Sequence, residues 1–180
     1  MTPDGPSHID VIKMKEKRPA TLEERVERLE AKQTITEIVM AYSQLHDVPD
    51  WEAFMDYCTD DIERVVSGSV TARERGKKEL LATYQRGQVL TRADGSRIVY
   101  DSSLKRKHLV VTPVVRISDN GQEGWYASYV SLVSTKEVDG EHLRSAHEAT
   151  IVLNFVRQGD DWKIRKMLLN TEIGHDPLRK

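Results

Sequence analysis

The chain has 180 residues, 38% hydrophobic and 31% charged, which at about 150 residues per domain describes one globular domain. Its 27 basic and 29 acidic groups leave a net charge of -2, and the only dense basic run is Lys105-Arg106-Lys107, so no nucleic-acid partner is expected. One cysteine, Cys58, excludes a disulfide framework and a multi-cysteine zinc site, and neither an apolar signal core nor a run of about 20 apolar residues is present. The expectation is a cytoplasmic protein without a membrane partner.

Residues 1–20, punctuated by Pro3, Gly5, Pro6 and Pro19, read as a flexible tail or an arm that docks on a neighbouring subunit. Thr21 with Glu24 forms a capping box, and apolar residues from Leu22 to Leu45 follow at three- and four-residue steps, predicting a helix over about 22–46. Leu22, Val26 and Leu29 make a short stripe suited to a subunit contact, so a homo-oligomer, dimer or trimer, is expected. Pro49 breaks that helix, and Asp50 caps a second one carrying Trp51, Phe54, Met55 and Tyr57. Residues 61–70 suggest a short strand and turn, and 76–86 a third helix with Leu80, Leu81 and Tyr84 inward. Residues 87–104 read as a long polar connection with an Asp94-Gly95 turn, of a length that suits a pocket lid.

From Lys107 the pattern alternates. Residues 108–118, 125–137, 142–157 and 162–172 predict four strands, separated by Asn120-Gly121, Asp139-Gly140 and Gly159-Asp160 turns. Strands of about 11–16 residues must twist and curl strongly. Helices followed by a curled antiparallel meander give an α+β fold, a cone-shaped sheet wrapped around the long N-terminal helix with a pocket at its open end. The domain is expected over 21–175, with 176–180 a C-terminal tail.

No phosphate loop, dinucleotide fingerprint, nucleophile elbow or zinc-protease motif occurs, and no metal or cofactor is expected. Cys58 reads as a small buried hydrophobe. Tyr42 and His46 share a helix face, and Asp47 follows at the helix terminus, where the dipole disfavours a carboxylate unless a partner offsets it. His108, at the start of the first long strand, is that partner's best candidate, and alternation puts it on one face with Val110, Thr112 and Val114. A carboxylate-oriented histidine is the usual base near neutral pH, and a phenol can donate to an oxygen on which charge develops. An amphipathic helix with a turn-forming aspartate and a structural buried histidine would account for the same residues. The catalytic candidates are therefore Asp47, His108 and Tyr42, with Trp51, Thr112, Tyr129, His147 and Asn170 as candidates for contacting a small-molecule substrate. For His147-Glu148 on the third strand and Asn170 on the fourth, alternation leaves the inward side open.

The segment ITEIVMAYSQLHDVPDWEAFMDYCTDDI resembles the first helix and following turn of the SnoaL-like proteins, within the nuclear transport factor 2-like superfamily. Tyr42, Asp47, Asp50-Trp51 and Thr59-Asp60-Asp61 carry the match. KHLVVTPVVRIS and DDWKIRKMLLN are similar to the family's histidine-led strand and its last strand, and the resemblance spans roughly 21–172. It implies the cone fold and one of several activities: scytalone dehydratase, bile-acid dehydratase, dehydrochlorinase, ketosteroid isomerase or polyketide cyclase. The elimination branch uses an aspartate–histidine pair, to which the dehydratases add a tyrosine, matching Asp47, His108 and Tyr42. The resemblance thus implies a cofactor-free lyase acting on a largely apolar, perhaps cyclic, molecule. The alternatives are an isomerase or cyclase using the same pocket, and a non-catalytic binding or oligomerising subunit. The third meander strand, ATIVLNF, is more apolar than the family pattern, so the resemblance does not carry a substrate over.

Overall fold

The computed structural model describes residues 4–171 apart from 69, 87, 93, 101–104 and 139–140, with the backbone alone at 88–92, 97–100, 136–138 and 141–145. The described residues form four helices: α1 (His8–Lys13), α2 (Leu22–Asp47), α3 (Trp51–Met55) and α4 (Lys77–Arg86). The strands are β1 (Cys58–Gly68), β2 (Val70–Arg75), β3 (Gln88–Arg92), β4 (Arg97–Tyr100), β5 (Lys105–Ile117), β6 (Glu123–Val138), β7 (Glu141–Gln158) and β8 (Asp161–Thr171). At the start of α2 the Thr21 hydroxyl accepts from the Glu24 amide at 3.1 Å, and the Glu24 carboxylate accepts from the Thr21 amide. These are two of the amide groups that a helix start leaves unpaired. Asp50 repeats the device for α3 by accepting from the Ala53 amide.

The strand order is β4-β3-β2-β1-β8-β7-β6-β5. Six strands, β2 to β5 in that order, form the curved and unclosed sheet, and β3–β4 is a ribbon joined to β2 at Val70–Arg92 and Thr71–Thr91. All neighbours are antiparallel except β1 and β8, which pair in parallel from Cys58–Ile164 to Gly68–Thr171. Gly121, at φ 68°, supplies the left-handed residue that lets β5 return as β6. The inner face of the sheet packs on α2: Ile35, Ile38, Val39 and Tyr42 form one buried cluster with Tyr126, Ile151, Leu153, Phe155, Ile164 and Met167. Gly124 makes that approach close, since a Cβ there would lie 2.5 Å from Ile35 Cδ1. The architecture is the expected α+β cone.

Four expectations about local structure change. The segment read as a tail contains α1, and it lies on the outer face of its own sheet. Val11 is fully buried there because Ala127 leaves a hole beside Val152, and Arg116 donates to the Met14 and Ile12 carbonyls. The strand and turn expected at 61–70 are the longer β1 and its partner β2. The connection at 87–104 contains the β3–β4 hairpin, with Asp94 accepting from the Ser96 amide and hydroxyl. Fourth, and most relevant to the site, alternation along β5 breaks. A bulge between Val111 and Val114 leaves Val114 opposite Ala127 on the outer face and Val115 opposite Tyr126 on the inner face. At its centre Thr112 has φ 51°, an uncommon value for a β-branched residue, followed by Pro113. The Asp139-Gly140 turn and the 176–180 tail lie outside the described residues.

Candidate functional site

Asp47 closes α2, and His108 is the fourth residue of β5, the strand at the sheet edge that faces the helix. An edge strand presents backbone N–H groups that need acceptors. One oxygen of Asp47, Oδ1, accepts from the His108 amide at 3.0 Å and contacts His108 Nδ1 at 2.8 Å. Because a carboxylate only accepts, that contact fixes the proton on Nδ1 and leaves Nε2 as the lone-pair nitrogen. The second oxygen, Oδ2, lies 3.6 Å from Lys107 Nζ. The carboxylate at an unfavourable helix end is thus offset by two hydrogen bonds and a neighbouring ammonium. Burial holds the His108 imidazole below its ordinary range, against the opposing pull of Asp47. A histidine so held is unprotonated at neutral pH and ready to accept a proton.

Behind His108 lies a cluster of rings centred on His46. Tyr42, Phe54, Tyr84 and Trp51 surround it at centroid separations of 4.2, 4.6, 4.8 and 4.9 Å, and His108 stands 5.7 Å away. His46 donates from Nδ1 to the Tyr42 carbonyl, and its Nε2 is buried without a hydrogen-bond partner. Burial, reinforced by His108, Arg64 and Arg106, drives its pKa well below the ordinary value. Tyr42 is 3% exposed, lies edge-on to His108 at 6.1 Å, and is pushed up by burial to about 12, so its phenol stays a neutral donor. Arg64, buried on β1, pairs with Glu74 at 2.8 Å and lies over the Tyr84 ring. The Cys58 thiol is buried and likewise pushed up to about 12 by burial, which leaves it unreactive.

The structure brings together Asp47, His108 and Tyr42, with Trp51 joining through its stack on Tyr84. It separates three candidate substrate contacts from them. Tyr129 lies on the outer face against His8, at a ring distance of 4.7 Å, because its neighbours Tyr126 and Val130 take the inner positions. Asn170 pairs in register with Thr150 on that same outer face. Thr112 sits exposed in the β5 bulge and does not continue the His108 face. His147 stands opposite Leu132, which stands opposite His108, so it shares the inner face two strands away. Arg64 and its partner Glu74 were absent from the candidates, although Ile62-x-Arg64-x-Val66 places an arginine on an apolar strand face. Among the described residues, no group of three or more His, Cys, Asp or Glu side chains is placed to hold a metal ion.

The fold agrees with what the chain is similar to. The model of the SnoaL-like domain matches residues 27–168. The chain belongs to the SnoaL-like family. Among solved structures, a nuclear transport factor 2-like protein with a cystatin-like fold from Novosphingobium aromaticivorans is 20% identical, with a TM-score of 0.62 over 88% of this chain and 94% of its own. A provisionally assigned scytalone dehydratase from the same organism is 14% identical, with a TM-score of 0.63 over 83% and 89%. Hexachlorocyclohexane dehydrochlorinase type 3 from Novosphingobium barchaimii is also 14% identical, at 0.63 over 83% and 91%. At these identities the likeness is one of fold. Among curated protein sequences, none matches the chain. None of the described helices is long and apolar enough to cross a membrane.

Proposed function

We propose that this SnoaL-like protein is a cofactor-free lyase that eliminates water from a largely apolar small molecule. The observation that supports this best is the double contact of Asp47 Oδ1 with the His108 amide and Nδ1. It fixes the ring and its tautomer together, as a general base requires. His108 Nε2 takes a proton from the carbon next to a carbonyl. The C–H electron pair becomes the new double bond, the C–O bond breaks, and the leaving hydroxide recovers the proton from His108 as water. Asp47 stabilises the intervening imidazolium. Tyr42 donates to the oxygen that gains charge, a role its neutral phenol suits.

Dehydratase and dehydrochlorinase relatives in the same fold support elimination over isomerisation, and a non-catalytic carrier would need the cavity without the charged pair. The test is a panel of apolar β-hydroxy carbonyl compounds followed by mass spectrometry for loss of one water. A lyase converts at least one, and His108→Gln does not. Conversion unaffected by that substitution places the base elsewhere. We also propose a homo-oligomer: Leu22 and Leu29 are 68% and 66% exposed along one stripe of α2, an arrangement that a second subunit would cover. Sedimentation at micromolar concentration should give more than a monomer mass, and a clean monomer would contradict this.

A further inference from the structure

Asp47 and His108 face two ways. On one side is the ring cluster around His46. On the other is a groove of about 240 Å³ between α2 and β5, lined along the helix by Thr36, Met40, Ser43 and Gln44 and along the strand by Val110 and Pro113. The helix positions recur at three- and four-residue steps from Thr36 to Asp47, one stripe about 16 Å long at 1.5 Å per residue. A complete small-molecule site occupies about 300–1,000 Å³, so the groove has room for part of a ligand. It is long for its volume.

The strand side of the groove depends on the β5 bulge. Regular alternation after His108 and Val110 would present Thr112 at the next position. The bulge turns Thr112 out, at φ 51°, and sets Pro113 on the groove. Bulges beside reactive groups re-aim side chains, and a backbone held in an unfavoured region commonly marks a place where function sets the geometry. Here the bulge replaces a hydroxyl-bearing residue with an apolar ring. The helix wall opposite offers Met40, an unbranched and adaptable side chain that is 59% exposed, its thioether available to cover a bound chain.

We propose that the groove between α2 and β5 is the subsite for the apolar part of the substrate, a slender aliphatic chain running from His108 along α2 beneath Met40. This deepens the lyase reading and depends on it only for which end of the substrate reacts. The substrate class is a molecule with its hydroxyl and activating group at one end and an unbranched chain at the other.

The test uses straight-chain primary alcohols from propanol to nonanol. Their hydroxyl can donate to His108 Nε2, and binding is followed in every variant by the nitrogen-15 ring signals of His108, and in the native chain also by the carbon-13 methyl signal of Met40, assigned from Met40→Leu. Affinity should rise about fourfold per added methylene, the worth of burying one such group, until the groove is filled. Met40→Glu, on an exposed helix position that tolerates it, should abolish the rise. Met40→Leu should keep the rise. A Met40 methyl that does not move, or a rise that is the same in Met40→Glu, would overturn the proposal. The two readings fail separately. A length-dependent affinity with no turnover of any hydroxy carbonyl compound removes the lyase and keeps the groove. His108-dependent turnover with affinity indifferent to chain length removes the groove and keeps the lyase.

Discussion

Two histidines stand 5.7 Å apart in this molecule, and their surroundings give them different work. His46, one residue before Asp47, hydrogen-bonds a main-chain carbonyl and is otherwise enclosed by rings. His108 contacts a carboxylate that also holds its own backbone amide. Burial lowers the pKa of both, but only His108 has an anion that would stabilise the imidazolium once formed. Proton affinity in a low-dielectric site therefore depends on the partner of the second ring nitrogen, more than on depth. His46 is a packing residue that stays neutral, and His108 is the group we propose as the base.

The largest expected effect follows from removing the proton acceptor. His108→Gln should fold normally and lose about 10²–10⁴-fold in turnover. Asp47→Asn should lose a comparable factor, and the double variant should be little worse than either, because the two act as one unit. Steady-state rates on any substrate found by the dehydration screen check all three. Tyr42→Phe, which removes only the donor, should cost about 10²-fold in kcat with the fold intact. The acid limb of the rate profile should belong to His108 and lie below pH 6.5, since its folded pKa is lowered and activity needs the neutral ring.

His46→Leu should leave turnover nearly unchanged, sharpening the contrast, and change stability by no more than about 1.5 kcal/mol as an apolar replacement of similar size. Its visible effect should be on acid stability. The folded pKa of His46 lies below the unfolded value of 6.5, so the unfolded chain binds more protons in between. The neutral ring's contribution is complete above pH 6.5 and is lost as pH falls from there toward the folded pKa. Urea titrations between pH 7 and 5 should show a shallower decline for His46→Leu than for the native chain. The smallest effect concerns the bulge: Thr112→Gly removes a left-handed β-branched residue and should be neutral or stabilising by up to about 1 kcal/mol. Glycine inside a regular strand would instead cost about 0.5–1 kcal/mol, so thermal melts distinguish the two.

Much of this arrangement was legible in the sequence. The long helix follows from its capping box and apolar steps, and β5 to β8 from alternation between turn residues such as Asn120-Gly121 and Gly159-Asp160. The rest depended on information that local pattern lacks. The pairing of β1 with β8 joins residues about a hundred positions apart, and no local signal announces it. The β3–β4 ribbon is short, with apolar runs of only two and three residues, so its Asp94-Gly95 turn is legible without its strands. Val11 is buried because Ala127 is small, a fact held by a strand more than a hundred residues away.

In the site, alternation gives the relation between neighbouring residues but not its sign. His147 therefore came to the inner face, while Tyr129 and Asn170 came to the outer one. Thr112 failed for another reason: its Thr-Pro step is a bulge, and Pro113 within an otherwise regular strand was the available signal.

The central claim is that Asp47 holds the proton on His108 Nδ1 and leaves Nε2 as a free base. Nitrogen-15 spectroscopy of histidine-labelled protein at neutral pH measures this directly, with His108 assigned by its Gln variant. The account predicts a neutral His108 ring in the Nδ1–H tautomer that titrates below 6.5 and loses its tautomeric preference in Asp47→Asn. A His108 ring in the Nε2–H tautomer, or one already protonated at neutral pH, would contradict it.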